Sequence, residues 1–140
     1  MARFFGRYEH SLDAKGRVIL PSKFRAPFDQ GGYLTQYRDG CLALWTPEEF
    51  EAQLVHLQES AGEGKPQRNL ARVFAGGTQE IEIDRSGRMP IHPSLREFAG
   101  LESEAAVLVL GAIDRVELWR PATWQEKVAP SEAQLMEEED

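Results

Sequence analysis

The sequence is poor in cysteine and has no long apolar run, and both absences narrow the classes of protein it can belong to. Its single cysteine, Cys41, excludes an intramolecular disulfide, and no cysteine–histidine pair has metal-ligand spacing. The longest apolar stretch, 107–113, is far shorter than the roughly 20 residues that span a bilayer. The first residues lack the apolar core of a signal peptide. We therefore expect a cytoplasmic protein with no membrane partner, no metal and no cofactor.

Residues arranged for catalysis are also lacking. The histidines His10, His56 and His92 lie in unlike contexts and form no triad or ligand set. The glycine pair 76–77 lacks the partners of a phosphate-binding loop. We expect no catalytic residue, no small-molecule substrate and no enzyme.

Charge is distributed unevenly along the chain. The formal net charge of −7 disfavours a nucleic-acid partner, because contacts with phosphates need lysine and arginine. However, residues 1–38 carry seven basic and three acidic side chains, and residues 65–96 carry six basic and three acidic ones. The segments 39–64 and 97–140 are strongly acidic. The chain thus alternates basic and acidic blocks, and the alternation has a period of about half its length.

The alternation coincides with an internal repeat, in which the sequence from 13 to 25 recurs 71 positions later. Asp-x-x-Gly-Arg begins at Asp13 and again at Asp84, and Arg25 corresponds to Arg96. Leu-Trp-x-Pro follows in both copies, with tryptophans at Trp45 and Trp119. Agreement of Asp, Gly, Arg, Trp and Pro in the same order indicates a duplication.

Each copy predicts a strand, a glycine turn, a return strand, a short helix, a two-stranded hairpin and a helix. One copy alone buries too little surface to be stable, so we expect an α+β fold in which two copies share one pseudo-twofold core, with helices at the rim. The strand at 107–110 should be the most buried. The expected divisions are a first repeat at 1–60, a connecting loop and helix at 61–76, a second repeat at 77–128 and an acidic disordered tail at 129–140.

The two turns are the candidate functional sites. An aspartate that opens a turn can accept backbone N–H bonds, and glycine supplies an unusual φ; the residues expected to structure the turns are Asp13, Gly16, Asp84 and Gly87. Arginine is suited to guanine edges and phosphates. The candidate DNA-binding residues are Arg17, Lys15, Arg88, Arg3, Arg7, Arg85 and Lys23. Alternatively, the Asp–Arg pairs only stabilise tight turns.

Residues 8–25, YEHSLDAKGRVILPSKFR, resemble the MraZ family of bacterial regulators, and the resemblance extends to about Val128. It implies an AbrB-like swapped-hairpin β-barrel built from two units in one chain. It also implies a ring-like homo-oligomer on the nucleoid. The implied function is binding to direct repeats in the promoter of the division and cell-wall gene cluster, usually to repress it, including the protein's own transcription.

The second copy departs from the family pattern at Pro90 and His92. A proline removes a backbone donor, so this return strand should be an edge or a bulge and the second turn irregular. Arg88 is then expected to contribute less to DNA binding than Arg17. The leading hypothesis is a DNA-binding repressor; the alternative is an oligomeric interaction scaffold that does not bind DNA.

Overall fold

The computed structural model describes residues 1–137, which form eight strands and six α-helices. The strands are β1 (Phe4–Ser11), β2 (Arg17–Ile19), β3 (Gly32–Gln36), β4 (Leu42–Trp45), β5 (Gln79–Ile81), β6 (Arg88–Pro90), β7 (Ala106–Ile113) and β8 (Val116–Trp119). The helices are α1 (Ser22–Arg25), α2 (Pro47–Ala61), α3 (Lys65–Gly76), α4 (Pro93–Ala99), α5 (Pro121–Lys127) and α6 (Glu132–Met136). Short 3₁₀ turns follow α1, connect β3 to β4 and precede α6.

The strand order shows that the two copies exchange strands. Six antiparallel strands form one sheet in the order β1-β7-β8-β4-β3-β5, and β2 pairs with β6 in a separate two-stranded ribbon. The first strand of each copy therefore pairs with a hairpin of the other copy, β1 with β7 and β5 with β3. The order is unchanged when the copies are interchanged, which places a pseudo-twofold axis between β4 and β8. The α+β, internally duplicated architecture predicted from the sequence is confirmed.

The core lies between the large sheet, the ribbon and the short helices α1 and α4. Val18 of β2 and Met89 of β6 are completely buried in it. Every residue of β4 and β8 is buried, because these strands are central in the sheet and helices cover their other face. The prediction that 107–110 would be the most buried strand is wrong, since β7 lies next to the edge strand and Leu110 is only partly buried.

Helix α2 begins as its sequence predicts. Thr46 Oγ1 accepts a hydrogen bond from the backbone N–H of Glu49 at 3.2 Å, and Pro47 occupies the first turn. The Glu49 side chain accepts a hydrogen bond from Gln53 Nε2 at 3.3 Å, one turn further along the helix. Helix α2 continues to Ala61, so three residues, 62–64, connect it to α3.

The acidic tail is described as far as residue 137, and its expected disorder stays a prediction. Its described part contains a 3₁₀ turn at Ala129–Ser131 and helix α6, and Arg7 Nη1 donates to Glu132 Oε1 at 3.3 Å. Val128 and Ala129 pack against a tryptophan cluster, which gives the segment an apolar anchor. Residues 138–140 of the predicted tail lie outside the described residues. Across 1–137, none of the helices has the length and apolar character needed to cross a membrane.

Candidate nucleic-acid interface

The first turn is built around the carboxylate of Asp13. Its Oδ1 accepts hydrogen bonds from the backbone N–H groups of Lys15 and Arg17, each at 2.9 Å, and its Oδ2 accepts one from Arg17 Nε at 2.8 Å. Two backbone bonds close the loop, from Asp13 N to Arg17 O and from Gly16 N to Asp13 O. Gly16 has φ +76°, a conformation that costs side-chain-bearing residues free energy. The aspartate therefore fixes both the loop and the arginine.

The second turn has the same geometry. Asp84 Oδ1 accepts from the backbone of Ser86 and Arg88 at 2.9 Å, and Oδ2 accepts from Arg88 Nε at 2.7 Å. The irregularity that Pro90 and His92 led us to expect is not observed. In both turns the aspartate, Asp13 or Asp84, accepts the backbone hydrogen bonds, and the glycine, Gly16 or Gly87, has a positive φ.

A single glutamine explains why Pro90 and His92 are compatible with a regular turn. Gln79 Nε2 donates to Pro90 O at 3.0 Å, and Gln79 Oε1 accepts from His92 N at 2.9 Å. The His92 ring then caps α4, because its Nδ1 accepts from Ser94 N at 3.1 Å. Pro90 ends β6 in a ribbon of two strands, as expected for an edge strand.

The turn carboxylates are held in the ionised state. Backbone N–H donation from Arg17 lowers the pKa of Asp13 below its ordinary value of 3.8, and the Arg17 guanidinium adds to this effect against partial desolvation. Arg88 lowers the pKa of Asp84 in the same way. Each turn therefore keeps its negative anchor and its fixed arginine throughout the physiological pH range.

Both turn arginines lie on one face of the ribbon. In the register of β2 with β6, Arg17 is opposite Pro90 and Arg88 is opposite Ile19. Successive side chains of a strand point to opposite faces, and the middle residues of β2 and β6 point into the core. The four flanking residues named above therefore share the outer face of the ribbon. The Cα atoms of Arg17 and Arg88 are then roughly 8 Å apart, from the rise and spacing of strands.

The guanidinium groups are only partly engaged by the protein. Each uses its Nε in the aspartate pair, and the Arg17 and Arg88 side chains are 28% and 41% exposed. Within residues 1–137, no protein group accepts a hydrogen bond from the Nη nitrogens of either arginine. Those donors are available to an external acceptor.

The two turns are joined to each other across the pseudo-twofold axis. Leu20 N, just after β2, donates to Gly87 O at 2.8 Å, and Ile91 N, just after β6, donates to Gly16 O at 3.1 Å. Each turn glycine is thus bonded to the strand of the opposite copy. This exchange is the swapped-hairpin arrangement that the family resemblance implies.

A second pair of arginines completes the contact between copies. Arg25 Nε donates to Leu20 O at 2.8 Å, and Arg96 Nε donates to Ile91 O at 3.0 Å. The Arg96 guanidinium lies against Gly16 of the first turn, and the Arg25 guanidinium lies against Gly87 of the second. These two residues were not among the predicted site residues. Arg25 and Arg96 occupy equivalent positions in the repeat, and this correspondence could have identified them as site residues from the sequence.

The remaining predicted residues fall into two groups. Lys15 and Arg85 are exposed at the tips of the two turns. Arg3 directly precedes β1 and Arg7 is its fourth residue, so at ~3.3 Å per residue their Cα atoms lie roughly 26 Å and 13 Å from Ser11, at the end of β1 that leads into the first turn. The structure therefore does not bring Arg3 or Arg7 to the turns.

Arg7 and Lys23 have other contacts. The Arg7 guanidinium is 5.7 Å from the centre of the Trp124 ring, in addition to its bond with Glu132. Lys23 Nζ lies 5.1 Å from the centre of the Tyr8 ring, on the middle of β1. Cys41 is buried, and its burial raises the pKa of its thiol. Within 1–137, no cluster of three or more histidine, cysteine, aspartate or glutamate side chains is arranged to hold a metal ion.

Two copies that exchange strands around an axis, each presenting an Asp-x-x-x-Arg turn, define an internally duplicated AbrB-like protein. A family model described as "MraZ protein, putative antitoxin-like" matches residues 3–73 and again residues 74–140. The chain belongs to the MraZ family.

Similar proteins carry the same family name. The chain is 41% identical over 122 residues to "Transcriptional regulator MraZ" of Acetivibrio thermocellus, and the match covers 87% of this chain and 84% of the relative. It is 39% identical to the protein of that name from Kocuria rhizophila, over 98% of this chain and 94% of the relative. These names support a transcription regulator, and they confirm the prediction that the chain is not an enzyme, since the family is named for regulation.

Proposed function

We propose that this protein binds promoter DNA through the outer face of the β2–β6 ribbon and represses transcription by occupying the site. The observation that carries the proposal is the pairing of two turns with equivalent internal hydrogen bonds, whose arginines lie on one outer face. A two-stranded ribbon is narrow enough to enter the ~12 Å major groove. Arginine in such a position can contact guanine edges and phosphates.

Preorganisation supports this role for the arginines. Binding normally costs side-chain entropy, and an arginine whose Nε is already bonded to an aspartate loses less freedom when its Nη groups meet an acceptor. The exposed Asp–Arg pairs contribute little to folding stability, as is usual for surface ion pairs. In this proposal, the function of the Asp–Arg pairs is to orient the guanidinium groups of Arg17 and Arg88 towards DNA.

The two turns are not expected to contribute equally. Glu80 and Glu82 border a groove of about 630 Å³ beside the second turn, whereas the first copy has Glu9 and Ser11 at the equivalent positions. The extra carboxylate repels phosphate near Arg88. We therefore still expect Arg88 to contribute less to DNA affinity than Arg17 does. The reason is now the local charge, because the geometry of the second turn is regular.

Tight binding requires several subunits on one DNA. Each good bidentate contact discriminates by only ~1–3 kcal/mol, and linking several sites raises their effective concentration. Strand β1 is an eight-residue edge of the sheet. Leu70, Val73 and Phe98 are 65%, 55% and 41% exposed around a groove of about 330 Å³. These surfaces support self-association, as in the ring that the family resemblance implies, with adjacent subunits on adjacent direct repeats.

The promoter of the chain's own gene, within the division and cell-wall cluster, is the target that follows from the resemblance. The test is a titration of this duplex with wild-type protein, Arg17→Ala and the control Arg68→Ala, at several salt concentrations. Arg68 is exposed on α3, so its removal takes away the same charge at a place distant from the ribbon.

Arg17→Ala should weaken binding by roughly ten- to hundredfold, because hydrogen bonds to charged groups contribute ~1.5–3 kcal/mol. Arg68→Ala should bind like wild type. Lys15→Ala should reduce the slope of log affinity against log salt by about 0.9 for each phosphate that the lysine neutralises. If wild-type protein fails to bind at low salt, the interaction scaffold is favoured. Equal affinities of Arg17→Ala and Arg68→Ala would refute the ribbon face as the DNA contact.

A further inference from the structure

We propose that each turn and the arginine of the opposite copy form one composite phosphate-binding site, Arg88 with Arg25 and Arg17 with Arg96. The inference rests on the proposed function and extends it to two residues outside the Asp-x-x-x-Arg motif. Each site would then be built from both halves of the chain. The ligand is a phosphate of the DNA backbone.

The two additional guanidinium groups lie directly on the turns. A methyl group added at Gly16 would lie 2.7 Å from Cζ of Arg96, so the guanidinium of Arg96 packs on the backbone that precedes Arg17. Arg25 packs in the same way on Gly87, which precedes Arg88. Both glycines are buried at positions that these arginines cover. The arginine of one copy thus packs on the residue that directly precedes the turn arginine of the other.

Arg25 and Arg96 are also held in fixed orientations. Each donates its Nε to the carbonyl that follows the adjacent ribbon strand, which fixes the plane of the guanidinium. Arg25 ends α1 and Arg96 lies in the last turn of α4, so both stems are held by helices. Within residues 1–137, neither side chain has a carboxylate partner within 4.0 Å, and no protein group accepts from its Nη nitrogens.

The local balance of charge favours an anion at each turn. Around the first turn, Asp13 is accompanied by Lys15, Arg17 and Arg96, so basic groups exceed the carboxylate by two. The second turn has basic residues at equivalent positions, Arg25, Arg85 and Arg88, and the neighbouring Glu82 reduces its excess of basic groups to one. Fixed guanidinium groups of like charge repel one another, and an anion between them relieves the repulsion. Arginine's rigid fork matches phosphate geometry.

The experiment is a pair of double-mutant cycles on binding of the intact protein to its own promoter duplex at fixed salt. One cycle combines Arg25→Ala with Arg88→Ala, which the proposal places in the same site. The other combines Arg25→Ala with Arg17→Ala, which it places in different sites. Arg25→Ala alone should weaken binding roughly ten- to hundredfold. Adding Arg88→Ala to Arg25→Ala should weaken binding by a smaller factor than Arg88→Ala does in the wild-type protein, whereas adding Arg17→Ala should give the product of the single effects.

A purely structural role for Arg25 is distinguished by measurements with and without DNA. Free Arg25→Ala should show shifted backbone amide NMR signals at 84–88 and unchanged signals at 13–17, because the arginine packs on the second turn. Arg25→Lys retains the positive charge but lacks the planar guanidinium that binds phosphate through two N–H groups. It should therefore recover only part of the DNA affinity that Arg25→Ala loses, while the slope of log affinity against log salt stays near that of wild type.

The outcomes separate this inference from the proposed function. If Arg17→Ala loses affinity but Arg25→Ala binds like wild type, the composite site is wrong and the ribbon face remains. If Arg25 couples with Arg17 and not with Arg88, the pairing across copies is wrong. If neither Arg17→Ala nor Arg25→Ala changes affinity, the proposed function itself fails.

Discussion

Replacing Gly16 by alanine tests whether the two copies are locked together at the turns. Gly16 has φ +76°, and the guanidinium of Arg96 lies against its α-carbon. Alanine at this position has to adopt a left-handed conformation and also has to displace Arg96. The substitution therefore measures a local backbone preference and a contact between copies at once.

The expected cost is the sum of these two effects. A left-handed conformation costs an alanine about 1–2 kcal/mol. The added methyl would lie 2.7 Å from Arg96 Cζ, a distance that forces the side chain to move and weakens its bond to Ile91 O. Disruption of such a charge-assisted bond costs about 1–3 kcal/mol. The free energy of unfolding should thus fall by roughly 2–5 kcal/mol in Gly16→Ala.

The assay is urea unfolding at one fixed protein concentration, since self-association shifts apparent stability. Gly40→Ala is the matched control, because Gly40 has φ +83° and an added methyl there meets no atom within 4 Å. It should cost only the backbone part, about 1–2 kcal/mol. The difference between the two variants isolates the contact with Arg96.

A second background makes the test sharper. In protein that already carries Arg96→Ala, the clash is absent, and Gly16→Ala should cost about 1–2 kcal/mol, as at Gly40. Equal costs of Gly16→Ala in the wild-type and Arg96→Ala backgrounds would refute the contact. Equal costs at Gly16 and Gly40 would refute it as well.

Two further predictions concern single side chains. Carboxyl NMR titrations of Asp13 and Asp84 should give pKa values below 3.8, so the stability these groups provide is present above that pH and is lost as the pH falls through the lowered pKa values. The lowered pKa of Asp13 should largely persist in Arg17→Ala, because hydrogen bonds from backbone N–H groups are its main cause. A pKa at or above 3.8 would contradict the turn geometry. Thr35 Oγ1 accepts a hydrogen bond from the buried Trp45 Nε1 at 3.0 Å, so Thr35→Val should lower the free energy of unfolding by about 1–3 kcal/mol in urea titrations; an unchanged midpoint would show that water or another group satisfies the indole.

Much of the fold follows from the sequence because local chemistry dictates it. Thr46 and Pro47 start α2, the glycine turns form where Asp-x-x-Gly predicts them, and the tryptophans Trp45 and Trp119 are buried at equivalent strand ends. The repeat also predicts a shared core. These features depend on contacts between residues close in sequence, or on symmetry that the repeat displays directly.

The pairing of strands does not follow from local chemistry, and the exchange between copies was implied by the family resemblance. An eight-residue strand followed by a tight turn is compatible with a local hairpin, and nothing in periodicity distinguishes this from exchange with the other copy. The second turn was expected to be irregular because the compensating bonds come from Gln79, 11 residues before Pro90. Arg25 and Arg96 escaped notice for a similar reason, since each lies against a glycine of the opposite copy.

The exchange of strands has a consequence for biosynthesis. The leading strand of the protein, β1, pairs with β7, and the partners in that ladder that are nearest in sequence, Ser11 and Ala106, are about 95 residues apart. At a synthesis rate of ~5–20 residues per second, β1 waits roughly 5–20 s for its native neighbour. During that interval another nascent chain on the same messenger can offer an identical β7. Chains translated closely together are therefore at risk of entangling as strand-swapped dimers, and sparse ribosome loading would favour correctly closed monomers.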